Sequence, residues 1–308
     1  MEKQKLMAII GPTATGKSEL AVLLAKALNG EVISADSAQV YRGLNIGSAK
    51  ISEGEKQGIR HHLLDIVSPK TDYNVGLFQK DAKAAIAEIA AKRKLPILCG
   101  GSGLYVNAVI NSGYQLGQET AQPLQRKELL ALEAEKGEGF LYAMVREKFP
   151  NRAAKIHPHD YQRILRALEM TEDSDAHEEN SWESPYTLSL YGLTMDREAL
   201  YRRIESRVEL MFEKGLVEEV RSLLQTGCKE QGNAMSALGY KEILPYLSGE
   251  RNLLETKELL KRNTRHFAKR QLTWFRRDPR IIWFDVLREG GNQSIAEKII
   301  LLEKNSSS

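Results

Sequence analysis

The chain has 308 residues, 42% of them hydrophobic and 28% charged, with a formal net charge of +3. That length allows one large domain or two ordinary ones, with enough burial to form a core without covalent staples. Only two cysteines occur, Cys99 and Cys228, which excludes a disulfide framework and offers no zinc pattern.

A reducing cytoplasm is therefore expected. The opening MEKQKLMAIIGP is too short in apolar residues for a signal peptide, and no run reaches the length of a membrane span. The net charge is too mild to imply a nucleic-acid partner, so where the charges fall matters more than their sum.

Residues 6–10, LMAII, form an apolar run closed by Gly11 and Pro12 and predict a buried parallel strand. SELAVLLAKAL follows as a helix stopped by Asn29 and Gly30. EVISAD predicts a second strand, HHLLDIV a weaker third, FQKDAKAAIAEIAAKRK an amphipathic helix and LPILCGG a fourth strand. This alternation points to an α/β fold with a doubly wound parallel sheet. After about residue 113 the texture changes. Residues 124–149 and 152–170 predict helices, and the acidic TEDSDAHEENSWESP predicts an exposed loop. Strand character returns in TLSLYGLTM. Residues 197–226 predict a helix or helix pair broken near Gly215, IIWFDV a late strand, and the NSSS tail a frayed end. The expected organisation is an α/β core of 1–113 and 186–308 with a helical insertion over 114–185.

GPTATGKS, residues 11–18, matches the phosphate-loop pattern G-x-x-x-x-G-K-[ST], with a strand leading in and a helix leading out. Loop amides and the helix N-terminus favour an anion; Lys17 adds a full charge and Ser18 a hydroxyl suited to Mg²⁺. The motif specifies a di- or triphosphate without specifying ATP. Asp36 closes the second strand, where ligands of an open α/β sheet gather. It suits a helix N-cap, an anchor for Mg²⁺ or a catalytic base. Gln39, Tyr41, Arg42 and Lys50 follow it. Gly100 and Gly101 allow a close backbone approach at the same sheet edge, and Ser102 suits a cap and a ligand hydroxyl, roles that can hold together.

Three basic constellations stand apart. Arg163 and Arg166 share one side of a helix. Arg203 and Arg207 lie four apart, able to converge on a leaving diphosphate, with Glu198, Glu205 and Glu209 as possible intrahelical partners. Residues 260–280 crowd Lys261, Arg262, Arg265, Lys269, Arg270, Arg276 and Arg277 against the single acid Asp278, interleaved with Phe267, Trp274 and Phe275. That segment reads equally as a phosphate-neutralising, base-stacking surface or as an amphipathic helix with solvated charges.

Together, GPTATGKS, DSAQVYRGLNIGSAK, HHLLDI, LPILCGGSGLYVNAV, IHPHDYQRILRALE, LYRRIESRVELMFEKGL, ALGYKE and AKRQLTWFR resemble the bacterial tRNA dimethylallyltransferases, over about residues 7–285. The resemblance implies a P-loop NTPase-like fold. It implies transfer of a dimethylallyl group from dimethylallyl diphosphate to N6 of the adenosine 3′ of the anticodon, tRNA position 37, without ATP. Gly11, Pro12, Thr13, Ala14, Thr15, Gly16, Lys17 and Ser18 would then hold diphosphate, with Mg²⁺ at Ser18 and with Thr13, Lys17 and Arg203 contacting the leaving group; Arg207 is a second candidate. Asp36 would accept the proton or orient the amine. Asp36, Ser37, Ala38, Gln39, Ser102, Arg126, Gln162, Arg163, Ile164, Leu165 and Arg166 match tRNA-contact positions, and Arg270 joins them from the basic segment. The implied partner is a tRNA anticodon stem-loop, and a monomer is expected. Ser102 stands where the family usually has Thr, His159 where it usually has Asn, and 172–184 is unlike the usual family sequence. The competing readings are an ordinary P-loop kinase, a prenyltransferase acting on free AMP or ADP, and an RNA-binding protein with a dead site.

Overall fold

A computed structural model describes residues 3–113, 123–169 and 182–305. The acidic residues 171–181 and the final 306–308 fall outside the described residues. In chain order the elements are β1 (Lys5–Ile10), α1 (Lys17–Ala27), β2 (Gly30–Ala35), α2 (Glu53–Lys56), β3 (His61–His62), α3 (Val75–Ala91), β4 (Leu95–Gly100) and α4 (Gly103–Ile110). They continue as α5 (Pro123–Lys136), α6 (Phe140–Lys148), α7 (Pro150–Ala153), α8 (Tyr161–Glu169), β5 (Thr187–Thr194), α9 (Arg197–Glu213) and α10 (Leu216–Gln225). The last are α11 (Leu244–Leu247), α12 (Leu253–Phe275), β6 (Ile282–Asp285) and α13 (Asn292–Asn305). The chain divides into two compact units, Met1–Ser112 with Trp182–Ser308, and Gly113–Ser181.

The first unit is built on a six-stranded, all-parallel sheet of order β3-β2-β4-β1-β5-β6. Strands buried on both faces need apolar residues at both phases of the pleat. In β1, Leu6, Ala8 and Ile10 enter one core, and Met7 and Ile9 enter the core on the opposite face. The first core takes Phe78, Ala82 and Ile86 of α3 and Val106 and Val109 of α4. The second takes Leu20 and Leu24 of α1, Ile204 of α9 and Ile295 of α13. Burying a leucine of this kind is worth about 1.5–3 kcal/mol. The neighbours β1 and β4 therefore send their following helices to opposite faces, which opens a crevice between their carboxyl ends.

The third strand is shorter than its sequence suggests. Only His61 and His62 pair with β2, because Leu63 and Asp65 turn to positive φ of 62° and 55°. The expected helix 197–226 is a pair, divided at Gly215, whose φ is 91°.

The second unit packs α5, α6, α7 and α8 around Leu129, Leu141, Val145, Phe149, Ile164 and Leu165. The expected helix 124–149 is divided into α5 and α6. Glu133, buried on α5, accepts the amides of Gly139 and Leu141 at 2.6 and 2.7 Å and the Tyr161 hydroxyl at 3.0 Å. The expected helix 152–170 also begins late, at Tyr161, because a turn at 157–160 precedes it, closed by the Asp160 amide on the His157 carbonyl.

Within the first unit, the chain's exit and return lie side by side. The Ser112 amide donates to the Glu183 carbonyl at 2.9 Å. Arg280 donates to Asn111 Oδ1 at 2.7 Å and to the Trp182 carbonyl, stacks on the Trp182 ring and pairs with buried Asp278 at 2.6 Å.

Candidate active site and nucleic-acid face

The phosphate loop caps β1 and enters α1. The Gly16 N-cap of α1 supplies no side-chain partner, so the first-turn amides remain directed at the loop's concavity. The loop is shaped by its own residues. Ala14 sits at φ 65°, a left-handed conformation unusual for alanine. Thr15, fully buried, donates its hydroxyl to the Pro12 carbonyl at 2.9 Å, and the Lys17 ammonium donates to the same carbonyl at 2.7 Å. The Thr15 side chain is thus a strut of the loop. Removal from water pushes the Lys17 ammonium down to about 8; Cys99 opposes this, Arg207 adds to it and Asp36 opposes it. Burial also pushes the Cys99 thiol beneath the loop up to about 11.

Two residues of the C-terminal segments hold the ends of the loop, Gln271 from within AKRQLTWFR and Asn292 from outside the motifs quoted above. Gln271 of α12 accepts the Thr13 amide at 2.9 Å. Asn292, at the start of α13, donates to the Gly16 carbonyl at 3.0 Å and to Glu19 at 2.6 Å. A Cβ at Gly16 would lie 2.5 Å from the Asn292 amide nitrogen, so the glycine is needed for contact with α13 as well as for its φ of 92°.

The two arginines on α9 are placed differently. Arg207 reaches the loop and donates to Thr13 Oγ1 at 3.2 Å. Burial lowers its pKa from the ordinary arginine value, while Asp36 and Glu55 pull in the opposite direction. Arg203, the first choice from sequence, is exposed and makes no hydrogen bond or ion pair among the described residues. One turn of helix separates them, and only the later turn overlies the loop.

Asp36 begins a tight turn. Its Oδ1 accepts the amides of Ala38 and Gln39 at 2.9 and 3.3 Å, leaving Oδ2 without a hydrogen bond among the described residues. The capping geometry foreseen for this acid exists, on a turn where no regular helix follows. The carboxylate is consequently fixed in orientation with one oxygen available. Ser102 occupies the N-cap of α4 without capping it; its hydroxyl accepts the Ser37 amide at 3.1 Å instead. Gln39 is held at both ends of its amide: Ser34 donates to its oxygen at 3.1 Å, and its nitrogen donates to the Ser48 carbonyl at 3.2 Å. Ala38 is buried and Ser37 exposed, so the turn presents Asp36, Ser37 and Gln39.

The glycines after β4 serve a helix. A Cβ at Gly101 would lie 2.3 Å from the Gln271 amide nitrogen, and one at Gly103 would lie 2.4 Å from the Trp274 ring. The close approach expected of Gly100 is made by the Ala35 carbonyl of β2, 2.1 Å from where a Cβ would lie, and that expected of Gly101 by α12. The aromatics of α12 follow the same logic: Phe275 is buried and Trp274 packs on Gly103, so neither forms an exposed stacking platform.

The cations of α12 fall into two sets. Lys257 and Lys261 each reach Glu209 at 2.7 Å, and Arg265 reaches Glu205 at 2.7 Å. Glu205 and Glu209 of α9 thus pair across to α12, where intrahelical partners were expected, while Glu198 has its intrahelical partner in Arg202 at 3.8 Å. Arg262, Lys269, Arg270, Arg276 and Arg277 are exposed and have no ion pair among the described residues. Arg270 lies over the Phe267 ring, 5.9 Å from its centroid. In the second unit, Ile164 and Leu165 are buried, so residues 162–166 offer only Gln162, Arg163 and Arg166 at the surface. Arg163 pairs with Asp160 at 3.3 Å and Arg166 with Glu169 at 3.6 Å. Arg126 is half-buried and grips the same Glu169 with two nitrogens, so part of its guanidinium is already committed.

The family model for IPP transferase matches residues 39–278. The chain belongs to the IPP transferase family. It is 50% identical over 303 residues to a tRNA dimethylallyltransferase of Carboxydothermus hydrogenoformans, covering 96% of each chain. The tRNA isopentenylpyrophosphate transferase of Bacillus halodurans superposes with a TM-score of 0.73 at 44% identity, covering 99% of each chain. A eukaryotic dimethylallyltransferase, solved acting on tRNA, superposes with a TM-score of 0.78 at 30% identity, over 92% of this chain and 74% of that one. The P-loop-like fold expected from sequence is that of these IPP transferases. No helix among the described residues is long and apolar enough to cross a membrane.

Proposed function

We propose that the chain carries a dimethylallyl group from dimethylallyl diphosphate to N6 of the adenosine at tRNA position 37, using the phosphate loop for diphosphate and Asp36 for the amine. The observation that carries this reading is the pairing at one crevice of an anion cradle with a carboxylate pinned by one oxygen and open at the other. Of the described residues at that crevice, Asp36 is the one so oriented.

The exocyclic amine is a weak nucleophile because its lone pair is delocalised into the purine. As the N6–C1 bond forms, the C1–O bond to diphosphate breaks with its electron pair on the departing oxygen, and N6 loses a proton. Asp36 Oδ2 would take that proton, or hold the N–H in line until solvent does. The growing charge on diphosphate would meet Lys17, Arg207 and the first-turn amides, groups in place before reaction. Arg203 is a further contact only if its exposed side chain swings toward the bound donor. Gln39, with both ends of its amide fixed, would read the extracted base.

Ser18 is exposed on the first turn of α1, and no group of three His, Cys, Asp or Glu able to hold a metal occurs among the described residues. That donor set fits Mg²⁺ held by the Ser18 hydroxyl and by diphosphate's own oxygens, where the ion would offset charge on the leaving group. The tRNA anticodon stem-loop would lie along Arg270 and the neighbouring bare cations, with further contacts from Gln162, Arg163 and Arg166. The same reading makes the chain a cytoplasmic monomer.

The test is a transfer assay with labelled dimethylallyl diphosphate and Mg²⁺, without ATP, offered unmodified tRNA and AMP in parallel. Label in tRNA alone supports the reading. Label in AMP moves the chain to the free-nucleotide prenyltransferases, and label in neither returns the phosphate loop to a kinase role.

A further inference from the structure

We infer that Gln271 is a positioning residue that fixes the diphosphate cradle relative to Asp36. The inference rests on the function proposed above and adds a residue to it. Gln271 is buried on α12 and its amide spans the crevice between the carboxyl ends of β1 and β4. On one side its oxygen accepts the Thr13 amide at 2.9 Å; on the other its nitrogen donates to the Gly101 carbonyl at 2.9 Å. These partners settle the amide's orientation, since a donor faces one end and an acceptor the other. The two loops it joins are the two halves of the site. Thr13 belongs to the cradle and takes the Arg207 guanidinium on its hydroxyl. Gly101 precedes Ser102, whose hydroxyl holds Ser37, the residue after Asp36. A continuous path of hydrogen bonds and short backbone therefore runs from the leaving-group side to the acid through one side chain.

A glutamine merely satisfying its own helix would look different. The buried threonines of α12, Thr256 and Thr264, do that by donating to carbonyls four residues back, at 2.9 and 2.7 Å. Gln271 turns away from its helix to two other segments. Gly101 leaves the space it occupies, since a Cβ there would meet its amide nitrogen at 2.3 Å. In-line displacement depends steeply on the placement of nucleophile, carbon and leaving group. A side chain that fixes the two loops acts on that placement without touching substrate.

The test compares Gln271→Met, which keeps the length and removes both hydrogen bonds, with Gln271→Glu, which accepts from Thr13 and cannot donate to Gly101. The expected result for each is a fall in kcat of about tenfold or more. For Gln271→Met, KM for the donor and Kd for tRNA should stay within about threefold, while Tm falls by a few degrees because the Thr13 amide and the Gly101 carbonyl lose their partner. Hydrogen exchange of the free protein should show faster exchange in Gln271→Met across both 11–16 and 99–104. A kcat within about twofold of wild type overturns the inference, as does a loss that resides wholly in donor KM. If Gln271→Met fails to fold, Gln271→Leu carries the same readouts, and Gln271→Glu is read by kcat and hydrogen exchange alone. Failure of the wild type to label tRNA counts against the proposed function; the exchange measurement still decides whether one side chain couples the two loops.

Discussion

The cradle and the exposed edge of α12 handle charge in opposite ways. In the cradle, nearly every polar group is tied to another protein group before any ligand arrives: Lys17 to Pro12, Arg207 to Thr13, Asp36 to its own turn, Thr13 to Gln271. Along α12, Arg262, Lys269, Arg270, Arg276 and Arg277 are solvated and unpaired among the described residues. The first arrangement suits a reaction, where groups must be oriented when charge develops. The second suits capture of a polyanion, where affinity comes from releasing counterions from phosphates and tolerates loose geometry. The same helix shows both habits, because its Lys257, Lys261 and Arg265 are bound to α9.

If that division is correct, substitutions in the cradle and on the bare edge should fail differently. Asp36→Asn should have the largest effect, lowering single-turnover transfer about 10²–10⁴-fold while tRNA affinity stays within about threefold. Parallel losses in rate and affinity would place Asp36 with the binding groups. Lys17 sharpens the contrast through pH. Its ammonium form attracts diphosphate, and in the free loop that form is lost as pH rises through about 8. Diphosphate binding raises the lysine's affinity for its proton. Wild-type advantage over Lys17→Met in binding inorganic diphosphate should therefore be full below pH 8 and fall about tenfold per pH unit above it, until the bound-state pKa is reached. Calorimetry at pH 7, 8 and 9 reads this directly, and a constant advantage would contradict it.

On the bare edge, Arg270→Glu with Arg276→Glu should weaken tRNA binding about tenfold or more at low salt and flatten the dependence of log K on log salt. Transfer at saturating tRNA should be nearly unchanged. The smallest effect belongs to the paired edge. Lys261→Ala and Arg265→Ala should leave the salt slope of tRNA binding almost untouched and each cost about 0.2–1 kcal/mol of stability in a denaturant titration. A large loss of tRNA affinity from Arg265→Ala would erase the distinction between the two edges.

Much of this was legible before folding because it is local. GPTATGKS carries its strand, turn and helix within one window, and the alternation of strands and helices announces the parallel sheet. What escaped was set by tertiary register. Nothing in LYRRIESR says which turn of α9 overlies the loop, so Arg203 ranks ahead of Arg207 by resemblance alone, whereas packing brings Arg207 to Thr13. Gln271 lies within AKRQLTWFR, where the cations and aromatics carry the sequence signal and the amide does not, and its partners are more than 150 residues away. The break between α5 and α6 escaped as well, although it falls at Gly137 and Gly139, which turn at positive φ of 100° and 92°. The short third strand was harder, because HHLLDIV has strand composition while Leu63 and Asp65 leave the extended region.

The backbone hydrogen bond from Ser112 to Glu183, with Arg280 gripping both neighbouring segments, has a consequence for how this protein can change over evolutionary time. The residues between those points begin and end at one closed junction. Lengthening or shortening them costs the sheet only loop-closure entropy, which grows as the logarithm of their number. The length of that stretch can therefore change over generations while the sheet and its crevice keep the closed junction that holds them.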